Sequence, residues 1–173
     1  LAAGGACLAS NAGAGSLAIT TQIASIDTDT KFVFVEAGTN DIDDSVTPTP
    51  STLGVLGDTT TATFYGALYN AYVAIKARAP DAKIAFLTPY SADSSYTNGR
   101  RHFYTNTNGN TLAQFQQAVI DVAELLGAKL IDVGRKAGIG YLTPEYFSDG
   151  LHINDAGGVR MGTFVADETR DWA

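Results

Sequence analysis

One short run constrains this chain more than any other. Phe32-Val33-Phe34-Val35-Glu36 is apolar with almost no polar alternation and stops at Gly38-Thr39-Asn40-Asp41. Alternation marks a strand with one wet face, and its absence predicts burial on both faces, as in a parallel sheet covered by helices. Gly38 then lets the chain turn sharply where such a sheet carries its ligands, beyond the carboxyl ends of its strands. Asn40 places a side-chain amide there, and an amide can donate to a developing negative oxygen.

The rest of the chain repeats this alternation. Ala6–Ser10 is a weak strand of small residues ending at the glycine turn Asn11-Ala12-Gly13-Ala14-Gly15. Ser16 to Ile26 reads as a modest helix marked by Leu17, Ile23 and Ile26. Residues 41–60, rich in Thr, Pro, Ser and Asp without a period, read as a long surface loop. Phe64, Leu68, Tyr72 and Ile75 recur at helical spacing until Pro80 closes that helix. Ile84–Leu87 is the next strand, and the polar stretch from Tyr90 to Asn110 a second long loop, of a length usually functional or mobile. Leu112, Phe115, Val119, Val122 and Leu126 give the clearest amphipathic helix. Lys129–Val133 is a strand. Asn154 is placed to cap a last helix through Trp172, with Met161, Phe164 and Val165 facing inward. The pattern predicts a three-layer α/β/α sandwich around a mostly parallel, flavodoxin-like sheet, in one domain over residues 1–173.

Composition narrows function. Apolar residues make up 45 % and charged residues 17 %, a globular balance. The formal charge of −7 argues against nucleic acid or an anionic membrane surface as partner, since each calls for a basic face. Cys7 is the only cysteine, so no internal disulfide and no cysteine-based metal site is expected, and its small, apolar surroundings predict a buried, inert thiol. Residues 1–7 have neither the pattern of a signal peptide nor that of a membrane span. No cofactor is called for: Gly13-x-Gly15 is only a fragment of a dinucleotide fingerprint, and no phosphate-binding Gly-x-x-x-x-Gly-Lys motif follows it.

Asp149-Gly150-Leu151-His152 carries the second piece of chemistry. Three residues apart, the carboxylate can pair with the imidazole and fix its tautomer. With Gly-x-Asn-Asp, that makes two of the three parts of an acyl-transfer site. Asp41, Asp43 and Asp44 can be imagined around a hard cation, but adjacent acids on such a loop are expected to be solvated, with Asp41 ordering its own turn. Arg100, Arg101 and His102 form a basic group that suits an acidic or sugar substrate, or simply an exposed patch or intersubunit contact. Tyr90, Tyr96, Phe103 and Tyr104 are candidates for a sugar platform.

In this order and placement the chain resembles the SGNH (GDSL-type) hydrolase family, whose four blocks are a Gly-Asp-Ser nucleophile, a glycine, Gly-x-Asn-Asp and Asp-x-x-His. The resemblance implies that Gly15 (or Gly13) stands for the second block, Asn40 for the third, and Asp149 with His152 for the fourth. His152 would be the general base, and Asn40, Gly15 and the serine N–H would form the oxyanion hole. Gly38, Thr39, Gly13 and Arg101 would lie along the substrate. No Gly-Asp-Ser occurs in the chain. Ser16 in Ala14-Gly15-Ser16-Leu17 has only a superficial likeness to it and is read, with Ser10, as structural. The first βα unit, about 30 residues, is therefore expected upstream of Leu1 or on a companion chain. In the family's 2-1-3-4-5 sheet order its strand would be central, so these residues are not expected to complete the sheet alone.

The function so implied is a serine esterase acting on acetyl or other short acyl esters. Carbohydrate esters, small or polymeric, are preferred over lipids because the long loops are polar and bear aromatics. The rival is a non-catalytic carbohydrate-binding or structural module on the same scaffold. The Thr-, Ala- and Gly-rich, lysine-poor composition would suit a secreted or particle-associated protein.

Overall fold

The middle strand of the sheet, Lys83–Leu87, shows how its layers are divided. Ile84 and Phe86 are buried in one apolar cluster, Ala85 and Leu87 in another, as the twofold pleat of a strand requires. The computed structural model describes residues 6–10, 22–43, 49–96 and 102–172. Within them, β1 (Phe32–Glu36), β2 (Lys83–Leu87) and β3 (Lys129–Ile131) form a parallel sheet in the order β1-β2-β3. The register pairs Phe32 with Lys83, Glu36 with Leu87, and Leu87 with Ile131, so all three carboxyl ends lie along one edge. This is an α/β fold.

The crossover helices α1 (Phe64–Arg78) and α2 (Leu112–Leu126) pack on one face. Thr63 caps α1 by accepting from Gly66 N–H, and Gln114 Oε1 accepts from the Thr111 N–H ahead of α2. Leu112, Phe115, Val119 and Val122 of the predicted stripe are buried, and the Phe64 and Phe115 rings, 4.9 Å apart, join the two helices. Burying one such side chain contributes about 1.5–3 kcal/mol. A short helix, α3 (Val133–Lys136), follows β3 directly, so the third strand ends two residues before the predicted Val133. On the other face lies α4 (Asp155–Glu168), whose Met161, Phe164 and Val165 pack against Ala85, Leu87 and Ile131. Asn154 caps α4 by accepting from Gly157 N–H. The predicted single helix to Trp172 instead ends at Glu168, and Arg170–Trp172 form a 3-10 turn. No helix among the described residues is long and apolar enough to cross a membrane.

Two expectations need correction. Ala6–Ser10 makes no regular strand; Leu8 and Ala9 donate their N–H groups to the Asp41 carboxylate rather than to a ladder. And β1 is not buried on both faces. Val33 and Val35 pack toward the α1/α2 cluster, but Phe32 and Phe34 are 43 % and 46 % exposed, resting on the Trp172 ring at 5.7 and 5.9 Å. The reason is the sheet's extent: among the described residues β1 pairs only with β2, and its far edge has no strand beside it. Of the predicted Ser16–Ile26 helix, residues 22–24 are helical and the part from 16 to 21 lies outside the described residues.

Candidate active site

Beyond Glu36 the chain leaves β1 and turns at Gly38, whose φ of 102° is reserved in practice for glycine. Space demands glycine too, since a Cβ there would come 2.9 Å from the Phe64 ring and 3.3 Å from Pro89 Cγ. The turn is thereby pressed against the first residues after β2. Asn40 Nδ2 donates to the Ala6 carbonyl at 2.9 Å, which fixes the plane of the amide.

Asp41 holds this loop in place. Its side chain is wholly buried and accepts from Leu8 N–H (3.0 and 2.9 Å to its two oxygens), Ala9 N–H (2.9 Å) and Ser51 Oγ (2.6 Å). Burial pushes the carboxyl's pKa above its ordinary value against the pull of these donors. Asp43 is buried as well, not solvated as the sequence suggested, whereas Asp41 orders its turn as expected. Among the described residues no three metal-ligating side chains come together. The side-chain oxygen of Thr39 is buried and, among the described residues, lacks a hydrogen-bond partner.

The Asp149–His152 pair forms as predicted. Asp149 Oδ1 accepts from the N–H groups of Leu151 (3.0 Å) and His152 (2.7 Å), while Oδ2 meets His152 Nδ1 at 2.8 Å. One carboxylate thus fixes the backbone turn and the imidazole together. Both side chains are open to solvent, 55 % for Asp149 and 72 % for His152. The Asp149 pKa is pulled down to about 2, first by the His152 N–H, then by its ring, then by the Leu151 N–H. The turn itself is closed by Ser148 N–H donating to the His152 carbonyl and by Asn154 Nδ2 donating to the carbonyls of Glu145 and Phe147.

The loop after β2 links the two sets. Asp93 N–H donates to the Gly150 carbonyl (2.9 Å), Ser94 N–H to the Tyr141 carbonyl (3.0 Å), and the Tyr96 hydroxyl reaches Asp43 at 3.5 Å. Asp93 Oδ1 accepts from both Ser95 N–H and Ser95 Oγ at 2.6 Å. Gly150, at φ 83°, sits so close that a Cβ would come 2.7 Å from Ser95 Oγ. Asn40 and His152 are therefore carried by neighbouring loops at the carboxyl edge of one sheet, tied through residues 93–96. Sequence reasoning missed Ser51, Asp93 and Ser95. Asp93-Ser94-Ser95 has an Asx-turn composition that marks a turn and not its neighbour. Gly13, Gly15, Ser16 and Arg101 lie outside the described residues.

The sequence profile of the GDSL-like lipase/acylhydrolase family matches residues 1–158. The chain belongs to this family. It is the family the Gly-x-Asn-Asp and Asp-x-x-His blocks pointed to, and its shared chemistry is ester hydrolysis. Known structures agree on the fold. One crystal structure is 27 % identical with a TM-score of 0.81, covering 96 % of this chain and 76 % of its own. A protein from Lactobacillus plantarum is 23 % identical at TM-score 0.79, covering 96 % and 77 %. A protein described as a possible lipase from Chitinophaga pinensis is 21 % identical at TM-score 0.67, covering 89 % and 78 %. No curated protein matches the sequence. For a GDSL-like chain the arrangement supplies an oriented imidazole and a fixed amide. Among the described residues the imidazole's second nitrogen, Nε2, takes no hydrogen bond.

Proposed function

We propose that this GDSL-like protein is a serine esterase for acetyl and other short acyl esters. The observation that carries the reading is the double grip of Asp149 on His152, through its backbone N–H and its ring Nδ1. With Nδ1–H held by the carboxylate, Nε2 is left as the base. In the reaction a serine hydroxyl attacks the ester carbonyl while His152 Nε2 takes its proton. The oxyanion is stabilised by the Asn40 amide and the Gly15 N–H. His152 then protonates the departing alkoxide, the C–O bond breaks, and an acyl-serine remains. Water attacks that acyl group, again giving its proton to His152, and the carboxylic acid leaves as serine is restored.

The serine belongs to a further parallel strand that pairs on the far edge of β1, supplied by a segment outside these 173 residues or by a companion chain. Three features support this. The far edge of β1 has no strand beside it among the described residues. Phe32 and Phe34 are half exposed along it. Thr39, just past the end of β1, has a buried hydroxyl oxygen without a partner among the described residues, and buried polar groups are normally paired. A strand in parallel register there would end beside Thr39 and Asn40.

The test is hydrolysis of 4-nitrophenyl acetate by the serine-bearing protein. His152→Ala is expected to lower kcat by about a thousandfold or more, with an unchanged circular dichroism spectrum. Turnover that survives the substitution would contradict the role given to His152.

A further inference from the structure

The four aromatic residues that the sequence offered as a sugar platform do not act together. Tyr90 is buried against Phe147, with ring centroids 6.1 Å apart. The Tyr96 hydroxyl is turned to Asp43, and Tyr104 is half buried. Phe103 alone stands out, 79 % exposed, and its neighbours are two residues from elsewhere in the pattern. His102 packs on it at 4.8 Å and 88°, and Tyr141, from the loop after α3, at 5.6 Å and 78°. Leu142 beside Tyr141 is 82 % exposed.

This group stands next to the His152 turn. The Tyr141 carbonyl accepts from Ser94 N–H, and the Gly150 carbonyl accepts from the adjoining Asp93 N–H. One peptide step therefore separates the anchor of the aromatic group from the residue between Asp149 and Leu151. A molecule held on these rings would lie beside the loop that carries the dyad.

Their form decides what that molecule is. Successive rings stand nearly perpendicular, an arrangement that fixes the plane of each. With Phe103 and Leu142 exposed, the group is an open surface rather than a channel, so an alkyl chain would leave most of its methylenes in water. The imidazole nitrogens of His102 and the Tyr141 hydroxyl add polar atoms beside the apolar faces. A pyranose ring matches both, with C–H groups to lay against the electron-rich aromatic face and hydroxyls for the polar rim.

The geometry points to a sugar-binding subsite formed by Phe103, Tyr141 and His102, which takes the alcohol side of the ester. The substrate class is thus an acylated carbohydrate. The assignment rests on the esterase reading above, and deepens it from short acyl esters in general to those carried on a sugar ring.

Two measurements separate the fate of this subsite from that of the esterase reading. Kinetics would compare an acetylated methyl glycoside, phenyl acetate and ethyl acetate, in the serine-bearing protein and its Phe103→Ala and Tyr141→Ala variants. Each variant is expected to lower kcat/KM for the glycoside roughly tenfold more than for ethyl acetate, chiefly through KM. An equal loss on phenyl acetate would overturn the sugar assignment in favour of an aryl site, and equal losses on all three would overturn the subsite itself. Saturation-transfer NMR with unesterified xylobiose needs no turnover. Sugar signals that Phe103→Ala abolishes would uphold the subsite even in a protein that hydrolyses nothing. Their absence from the unsubstituted protein would refute it even if esters are cleaved.

Discussion

Two carboxylates at the same edge of the sheet do opposite work. Asp41 is wholly buried and accepts from groups more than thirty positions away in sequence, so it joins the Asn40 loop to residues 8 and 9. Asp149 is open to solvent and, among the described residues, accepts only from residues two and three positions along. Burial pushes the first pKa up, whereas local donors pull the second down to about 2. A carboxylate enclosed by distant backbone is a structural fastening whose loss exposes unpaired donors. One held by its own turn orients a neighbour and leaves the fold nearly indifferent to it. The Asn40 side of the proposed site is thus expected to be rigid and costly to alter, and the His152 side adjustable.

Breaking the rigid side should have the largest effects on stability. Asn40→Ala is expected to lower kcat by about 10²–10³, or about 2.7–4 kcal/mol of barrier, in the serine-bearing protein. Its unfolding free energy in urea should fall by about 1 kcal/mol, the size expected for loss of a bond such as that to the Ala6 carbonyl. Asp41→Ala should show the reverse emphasis. It strands the Leu8 and Ala9 N–H groups and the Ser51 hydroxyl in the interior, and urea unfolding should register a loss of about 3 kcal/mol or more. An Asp41→Ala protein as stable as the parent would erase the contrast.

Smaller effects on stability belong to the exposed side. Asp149→Asn should lower turnover by up to about 10⁴, the loss seen when the carboxylate that sets a catalytic imidazole's tautomer becomes an amide, with the urea midpoint where it was. The pH response sharpens the same point. The folded pKa of Asp149 lies below its ordinary 3.8, so what it contributes to stability is in place above that pH and is lost as pH falls toward about 2. The His152 ring proton shifts, followed by NMR, should show their carboxylate-dependent step near pH 2. A step near 4 would mean that the turn does not hold the carboxylate as described.

Legibility in the sequence followed the range of the interactions. The stripe from Leu112 to Leu126, the strand Phe32–Glu36, the Asn154 cap and the Asp149–His152 pair all rest on residues a few positions apart, where periodicity and spacing carry the information. The fastening role of Asp41 depends on backbone donors and on Ser51, and no spacing rule points from Gly-x-Asn-Asp to residues 8, 9 and 51. Tyr141 was missed as the partner of Phe103 for the same reason. The apolar run of β1 misled about burial because a pattern reports what a strand can bury, while its place in the sheet decides what is covered.

His152 and Asn40 are proposed to serve a serine carried by a strand on the far edge of β1. The direct measurement is fluorophosphonate labelling of the protein as isolated, followed by peptide mapping of the modified serine. The account predicts one labelled peptide lying outside these 173 residues, with labelling lost in His152→Ala. Label on Ser10 or Ser16, or no label on intact protein, would contradict it.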